Sequence, residues 1–312
     1  MKVFVAGATG AIGRPLISAL LRAGHEAVGM TSSESGVQLL RKLGADGVVA
    51  NALDSGAVQS ALTRVKPDAV IEELTSLPRR YTPEEMRSAA ERDRKVRLEG
   101  GTNLHNAAKA AGVRRYIVQS TGFFYAPGTG LAEETDPLAL NASSAVAASV
   151  RTYTQVERRV LGVSEPTGVA LRYGFFYGPG TYHDRDRGSI SEQVREQKYP
   201  VIGSGSGVFS FVHVEDAASA TITALEADPG IYNIVDDDPS DMATWLPAFA
   251  RWLGAPDPPR ITEEEALRAA GKDAVYYAMH LRGASNARAR RQLGFAPRKL
   301  EWLARSEMEL TA

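Results

Sequence analysis

The chain has no cysteine among its 312 residues. Disulfides, thiolate metal ligands and a cysteine nucleophile are thereby excluded. Long apolar runs are missing as well. Nothing approaches the roughly 18 residues that a membrane-crossing helix needs, and Met1-Lys2 leads straight into a short apolar segment without the pattern of a secretory leader. Charge of one sign is also lacking: 36 basic and 37 acidic side chains leave a formal net charge of −1. That balance argues against nucleic acid or an anionic membrane as the main partner and for a small-molecule substrate. His25, His105, His183 and His280 show no metal-ligand spacing, so no metal is expected. The expected location is the cytoplasm, where the sequon at Asn141 has no consequence.

What is present begins at once. Val3-Phe4-Val5-Ala6 reads as a buried strand, Gly7-Ala8-Thr9-Gly10-Ala11-Ile12-Gly13 follows, and Arg14 to Ala23 is helix-forming. A glycine-rich turn between a strand and a helix is the arrangement that wraps a dinucleotide. Gly7 allows the sharp turn, Gly10 allows close approach of backbone to a pyrophosphate, and Gly13 allows the helix to pack on the strand. The free N–H groups near Ala11 and Ile12 then face the phosphates along the helix dipole. Thr9 lies inside the same turn.

Short β-rich runs then alternate with helical stretches, the pattern of a parallel sheet with crossover helices. Strands are expected near Lys2–Ala6, Ala27–Met30, Gly47–Ala50, Ala69–Ile71, Arg115–Gln119 and Val169–Arg172, with Gly24, Gly44 and Gly112 ending helices. The fold class is α/β, a Rossmann-type doubly wound sheet over residues 1–175. A smaller substrate-binding lobe is expected over 176–312, with chain crossing between the two more than once. The charged stretch Pro83 to Arg97 reads as a solvated helix. Asp236-Asp237-Asp238 reads as acids near a helix start whose carboxylates diverge, and Glu72 and Glu73 point to opposite faces if strand four extends that far.

Five separated segments now fall in one order: Gly7 to Gly13; Tyr116 to Thr121 with Tyr125; Leu171 to Gly180; Phe211 to Ala218; and Asn286 to Pro297. Together they resemble an extended short-chain dehydrogenase/reductase, the superfamily of nucleotide-sugar epimerases and dehydratases. The resemblance covers almost the whole chain and implies NAD or NADP as cofactor. Strand two ends Met30-Thr31-Ser32-Ser33 without the carboxylate that receives the adenosine ribose in NAD-binding members, which favours NADP, with Ser32, Ser33 and Arg14 toward the extra phosphate. The arginine common in NADP-binding relatives is absent too, so NAD stays open. Asn51 and Ala52 after strand three fall near adenine, Leu74 and Thr75 after strand four near the phosphates and ribose, and Tyr173 and Phe175 complete the expected contacts. In relatives the helices before strands five and six pair across a two-fold axis, which makes a homodimer the assembly that the resemblance implies.

Chemistry is where the chain departs from the family. Thr121, four residues before Tyr125, matches the hydroxyl that positions the substrate oxygen, but no Tyr-x-x-x-Lys occurs anywhere. The corresponding helix contains Ser149, Tyr153 and Glu157 on one face. In one register Ser149 takes the tyrosine slot and Tyr153 the lysine slot; in the other Tyr153 is the tyrosine and Glu157 replaces the lysine, which would raise the phenol pKa. Phe123, Phe124, Tyr125, Phe175, Phe176 and Tyr177 make both flanking loops aromatic, and Phe209 stands where nucleotide-sugar members carry a diphosphate-gripping arginine. Arg185 and Arg187 are the remaining candidates for holding an anion, while His213 reads as a buried structural histidine. The expected activity is an NAD(P)-dependent reductase of a ketone or enone on an aromatic or polyketide-like molecule, with Thr121 and Tyr153 as the catalytic candidates. Redox-neutral epimerase, dehydratase or cyclase chemistry and non-catalytic cofactor sensing remain as alternatives.

Overall fold

The computed structural model describes residues 1–303. Seven parallel strands form the central sheet. Six of them are β1 (Lys2–Ala6), β2 (Glu26–Thr31), β3 (Asp46–Val49), β4 (Ala69–Glu72), β5 (Arg115–Thr121) and β6 (Thr167–Tyr173). The seventh, Gly230–Ile234, pairs with β6 along Gly230↔Val169 to Ile234↔Tyr173. In space the order is Gly230–Ile234, β6, β5, β4, β1, β2, β3. The order in which strands are added switches sides between β1 and β4, and ligands of such folds sit outside the carboxyl ends of the strands at that point. Chain beyond residue 175 therefore returns to the first layer, because Gly230–Ile234 covers the edge that β6 would otherwise expose.

Local sequence explains the elements. Val3 to Ala6 are wholly buried, as expected of a strand covered on both faces. Helix α1 (Gly13–Arg22) buries Leu16, Ile17 and Leu20 on one stripe. Helices α2 (Glu34–Lys42) and α3 (Ser55–Val65) start at Ser33 and Asp54, whose side chains accept the N–H groups of Gly36 and Ala57. Helix α4 (Pro83–Lys95) has Thr82 as its cap and Pro83 at its first turn. It passes through a five-residue π-helical turn, Val96–Gly100, into α5 (Gly101–Ala110). Helix α6 (Ser144–Leu161) crosses back to β6.

Two buried ion pairs tie the helices to the sheet. Arg159 of α6 donates to both oxygens of Glu72 at 2.7 Å. A Cβ on Gly101 would lie 2.4 Å from that pair, so glycine is required there. Arg172 of β6 grips Glu157 of α6 through Nε and Nη2 at 2.7 and 2.8 Å. A second core lies over the carboxyl ends of the strands. It gathers Trp245, Phe249, Trp302, Phe209 and Phe211 around strand β7 (Phe175–Tyr177), which pairs with Phe211–His213. No helix among the described residues is long and apolar enough to cross a membrane.

Arg172→Met leaves Glu157 buried with one partner, Ser120. We expect a loss of about 3–5 kcal/mol, read as a lower urea midpoint with an unchanged slope.

Candidate functional site

The loops that follow β1 to β6 lie at the carboxyl ends of the strands, where such folds place their ligands. Gly7 has φ +83°, and a Cβ there would fall 2.3 Å from the carbonyl oxygen of Glu73. At Gly13 a Cβ would fall 2.3 Å from the Gly7 carbonyl, whereas at Gly10 it would meet only that carbonyl, at 3.2 Å. Gly7 and Gly13 thus serve the turn and the helix contact, and Gly10 lies exposed on the open side. Helix α1 has no side-chain cap at Ile12. The N–H groups of Ala11 and Ile12 meet no acceptor among the described residues, and Thr9 is half-buried beside them. A cradle of unpartnered N–H groups without side chains in the way fits a pyrophosphate.

The remaining cofactor candidates divide. Ser32 is exposed at the end of β2, while the Ser33 hydroxyl is committed to capping α2 through Gly36 at 3.2 Å. Asn51 turns its Oδ1 to the Leu53 N–H at 3.0 Å, leaving its amide NH₂ outward. Ala52 is buried, and its carbonyl accepts from Asn103 at 3.0 Å. Leu74 is buried and Thr75 exposed at the β4 end. Tyr173 is different: its ring is 1% exposed and its hydroxyl meets Thr221 at 2.6 Å and Glu73 at 3.2 Å. Its side chain belongs to the core below the cleft because Glu73 and Thr221 hold it there. Phe175 is half-buried and stacks on Phe123 at 4.1 Å, on the substrate side.

Thr121 ends β5, is 5% exposed, and its hydroxyl has no hydrogen-bond partner. A buried unpartnered hydroxyl costs stability. Tyr153 is half-buried on α6, with Phe124 6.2 Å away and the Arg97 guanidinium 4.8 Å from its ring centre. Burial raises its phenol pKa, and the Arg97 charge opposes that rise. Glu157 does not act on Tyr153. Both its oxygens are bound by Arg172, and one also accepts from Ser120 at 2.6 Å.

The aromatic wall is more extensive than the loop sequences suggest. Tyr277, from the helix Lys272–His280, packs on Phe123, Phe124 and Phe175 at 6.1 to 6.4 Å. Phe209 is buried against Phe175 at 4.9 Å and Trp245 at 5.1 Å, so no cation occupies that place. Arg185 is taken by Trp252, whose ring it covers at 4.9 Å and whose carbonyl it meets at 3.1 Å. His213 caps the helix Val214–Thr223 through the Glu215 N–H and meets Arg298 at 3.4 Å, as a structural histidine does. Asp236, Asp237 and Asp238 diverge to separate partners. Among the described residues no group of acids and histidines is arranged for a metal.

Two residues here went unread in the sequence. Arg97 and Asp93 belong to the stretch taken for a solvated helix, yet Arg97 is 4% exposed and donates to Asp93 at 2.7 Å. The reason is the π-helical turn, which rotates this end of the helix inward; the signal was the Asp93, Arg97 spacing of four. Glu73 packs under Gly7, opposite in face to Glu72 as expected, with its Oε2 unpartnered. Burial pushes its carboxyl up to about 8, against the Tyr173 hydroxyl and the Arg97 charge.

Comparison with known proteins agrees with this architecture. The family model described as NAD dependent epimerase/dehydratase family matches residues 3–235. The chain belongs to that family. A curated relative from Streptomyces sp., 3-diazoavenalumate denitrifying reductase, is 40% identical over 97% of this chain and 98% of its own. A ketoreductase from Stigmatella aurantiaca, acting on a farnesylated dihydroquinoline oxide by its name, is 24% identical over 79% of this chain and 71% of its own. Two solved structures share the fold. UDP-glucose-4-epimerase from Stenotrophomonas maltophila, with bound NAD, has a TM-score of 0.74 at 20% identity with both chains fully covered. The human epimerase family protein SDR39U1, with NADPH, has 0.73 at 20% identity, covering 97% of this chain and 96% of its own. The protein is an enzyme of the short-chain dehydrogenase/reductase superfamily that uses NAD or NADP.

The Glu73 carboxyl lies above its ordinary value of 4.5 when folded. The native state then holds an extra proton between pH 4.5 and about 8, so this stabilisation is complete below 4.5 and is lost as pH rises through about 8. Glu73→Gln should flatten the fall in stability across that window by up to about 1.4 kcal/mol per pH unit. Asp236, also raised to about 8, keeps its share of the slope. Urea midpoints measured from pH 5 to 8 check this; an unchanged slope would contradict it.

Proposed function

We propose that this protein is an NAD(P)H-dependent reductase of a planar, electron-poor aromatic molecule, and that the residues after β1 to β4 hold its cofactor. The observation that carries the reading is the presence of rings where a diphosphate clamp is expected: Phe209 is buried in the aromatic core, and Phe123, Phe175 and Tyr277 pack into one aromatic wall. A flat, weakly charged substrate gains from offset and edge contacts with such a wall. A nucleotide sugar finds no cation there. The 40% identical relative is named a 3-diazoavenalumate denitrifying reductase, and this supports reduction of a substrate of that chemical kind.

When bound, reduced nicotinamide supplies a hydride. Charge then develops on the heteroatom of the substrate, an oxygen in a ketone or enone, or the phenolic oxygen of a diazo-substituted phenol that loses N₂. Hydride and one proton together complete either reduction. The Thr121 hydroxyl, with no other partner, donates a hydrogen bond to that heteroatom. Tyr153 presents its phenol one helical turn along α6 from Ser149, as donor rather than base, since burial keeps it protonated. Ala11 and Ile12 hold the pyrophosphate, Leu74 and Thr75 pass the ribose, and Asn51 and Ala52 frame the adenine. NADP is the preferred cofactor because no carboxylate stands at the end of β2 and Ser32 is free there. A homodimer through α5 and α6 belongs to the same reading and is checked by the mass in solution.

Thr121→Val tests the chemical role. It should lower kcat about 10²- to 10³-fold with little change in thermal stability, because the lost hydroxyl has no partner in the free protein. The assay follows disappearance of reduced nicotinamide with diazo-phenol, quinone and aryl-ketone substrates, using NADPH and NADH in parallel. Product formation without net cofactor oxidation would point to redox-neutral chemistry instead.

A further inference from the structure

We propose that Arg97 is the cation of this site, a positioning residue that acts on substrate through Tyr153 in the part that the family gives to its lysine. The proposal rests on the reductase reading for its chemical purpose, but its physical content concerns this chain alone. Arg97 lies in the π-helical turn Val96–Gly100. Such turns add a residue and re-aim side chains, frequently at functional sites. The side chain is 4% exposed, and its Cζ stands 4.8 Å from the centre of the Tyr153 ring.

The guanidinium is fixed from several sides. Its Nε donates to Asp93 at 2.7 Å, and the other Asp93 oxygen accepts the Ser76 N–H from the loop after β4 at 2.6 Å. The Arg97 carbonyl accepts from Arg159 of α6 at 3.0 Å. A planar guanidinium suits this place over a ring better than an ammonium does. The charged and titratable groups around it are Asp93 of α4, Glu72 and Glu73 of β4 and its loop, and Tyr153 of α6. Tyr153 feels Arg97 and Asp93, and it in turn bears on Tyr277 of the helix Lys272–His280. Among these, Arg97 alone opposes the rise of the Tyr153 phenol pKa that burial imposes. Among the described residues no other cation lies over that ring.

The test uses the full chain without added cofactor, with 3,5-difluorotyrosine placed at position 153 so that fluorine NMR follows this phenol alone. In Arg97→Met its titration should move to higher pH by about 1–3 units, and Arg97→Lys should recover part of the shift. If Arg97→Met unfolds because Asp93 loses its partner, the paired change Arg97→Met with Asp93→Asn is compared with Asp93→Asn alone, because the Asp93 charge raises the same phenol. With active enzyme, the pH profile of kcat should shift in Arg97→Met and not in Arg97→Met made on Tyr153→Phe. A titration of residue 153 that is the same in folded Arg97→Met overturns the proposal. Failure of the reductase reading shows separately, as no oxidation of reduced nicotinamide by any substrate while the shift persists.

Discussion

The arrangement of the cleft depends on the buried pair between Glu157 and Arg172. Their side chains are 8% and 5% exposed, so each has lost its water, and two such charges are stable together only when further hydrogen bonds support them. Arg172 donates also to the Tyr125 hydroxyl at 2.8 Å and to the Glu134 carbonyl at 3.1 Å, and Glu157 accepts from Ser120 as well. One interaction therefore joins β5, β6, α6 and the loop after β5. It also sets the rotation of α6 about its axis. Residues four and eight positions earlier, Tyr153 and Ser149, are turned to the same side as Glu157.

That rotation decides which residues face the site in place of a Tyr-x-x-x-Lys. In one register Ser149 takes the tyrosine slot and Tyr153 the lysine slot; in the other Tyr153 is the tyrosine and Glu157 takes the lysine slot, where Arg172 holds it. Neither register restores a lysine. Arg97 enters from the π-helical turn against the Tyr153 ring, and Phe123, Phe175 and Tyr277 pack together. The cradle at Gly7 to Gly13 is unaffected, because its shape follows from backbone packing on Glu73 and Ala8 and not from any side chain in the site. Cofactor binding and proton handling are thus physically separable in this fold, and the chain has kept the first while altering the second.

Much of this was legible before the structure. The six strands read from apolar runs agree closely with β1 to β6, since a sheet covered on both faces writes itself as unbroken apolar segments. The seventh was missed. Gly230–Ile234 is short, follows Pro229, and carries Asn233, whose buried amide is satisfied by Ala132 and Ser285 and whose carbonyl oxygen takes the Tyr125 hydroxyl. Such a polar residue breaks the apolar pattern by which strands are recognised. Arg97 was hidden for the opposite reason: α4 buries only Ala89, so its run of charges looks solvated until the π-helical turn brings the last of them inside. Tyr277 comes from the helix Lys272–His280, far along the chain from either aromatic loop, and no local pattern brings it to them. Tyr173 looked like a cleft residue because it ends a strand, yet it packs downward where Glu73 and Thr221 satisfy its hydroxyl.

The central claim is that hydride moves from the cofactor to an aromatic substrate and stays there. Turnover with NADPH carrying deuterium at the nicotinamide C4 tests it most directly, with products analysed by mass spectrometry and NMR. One deuterium appearing at carbon of the product for each NADP⁺ formed is the predicted result. Deuterium returning to the cofactor while product forms unlabelled would contradict it.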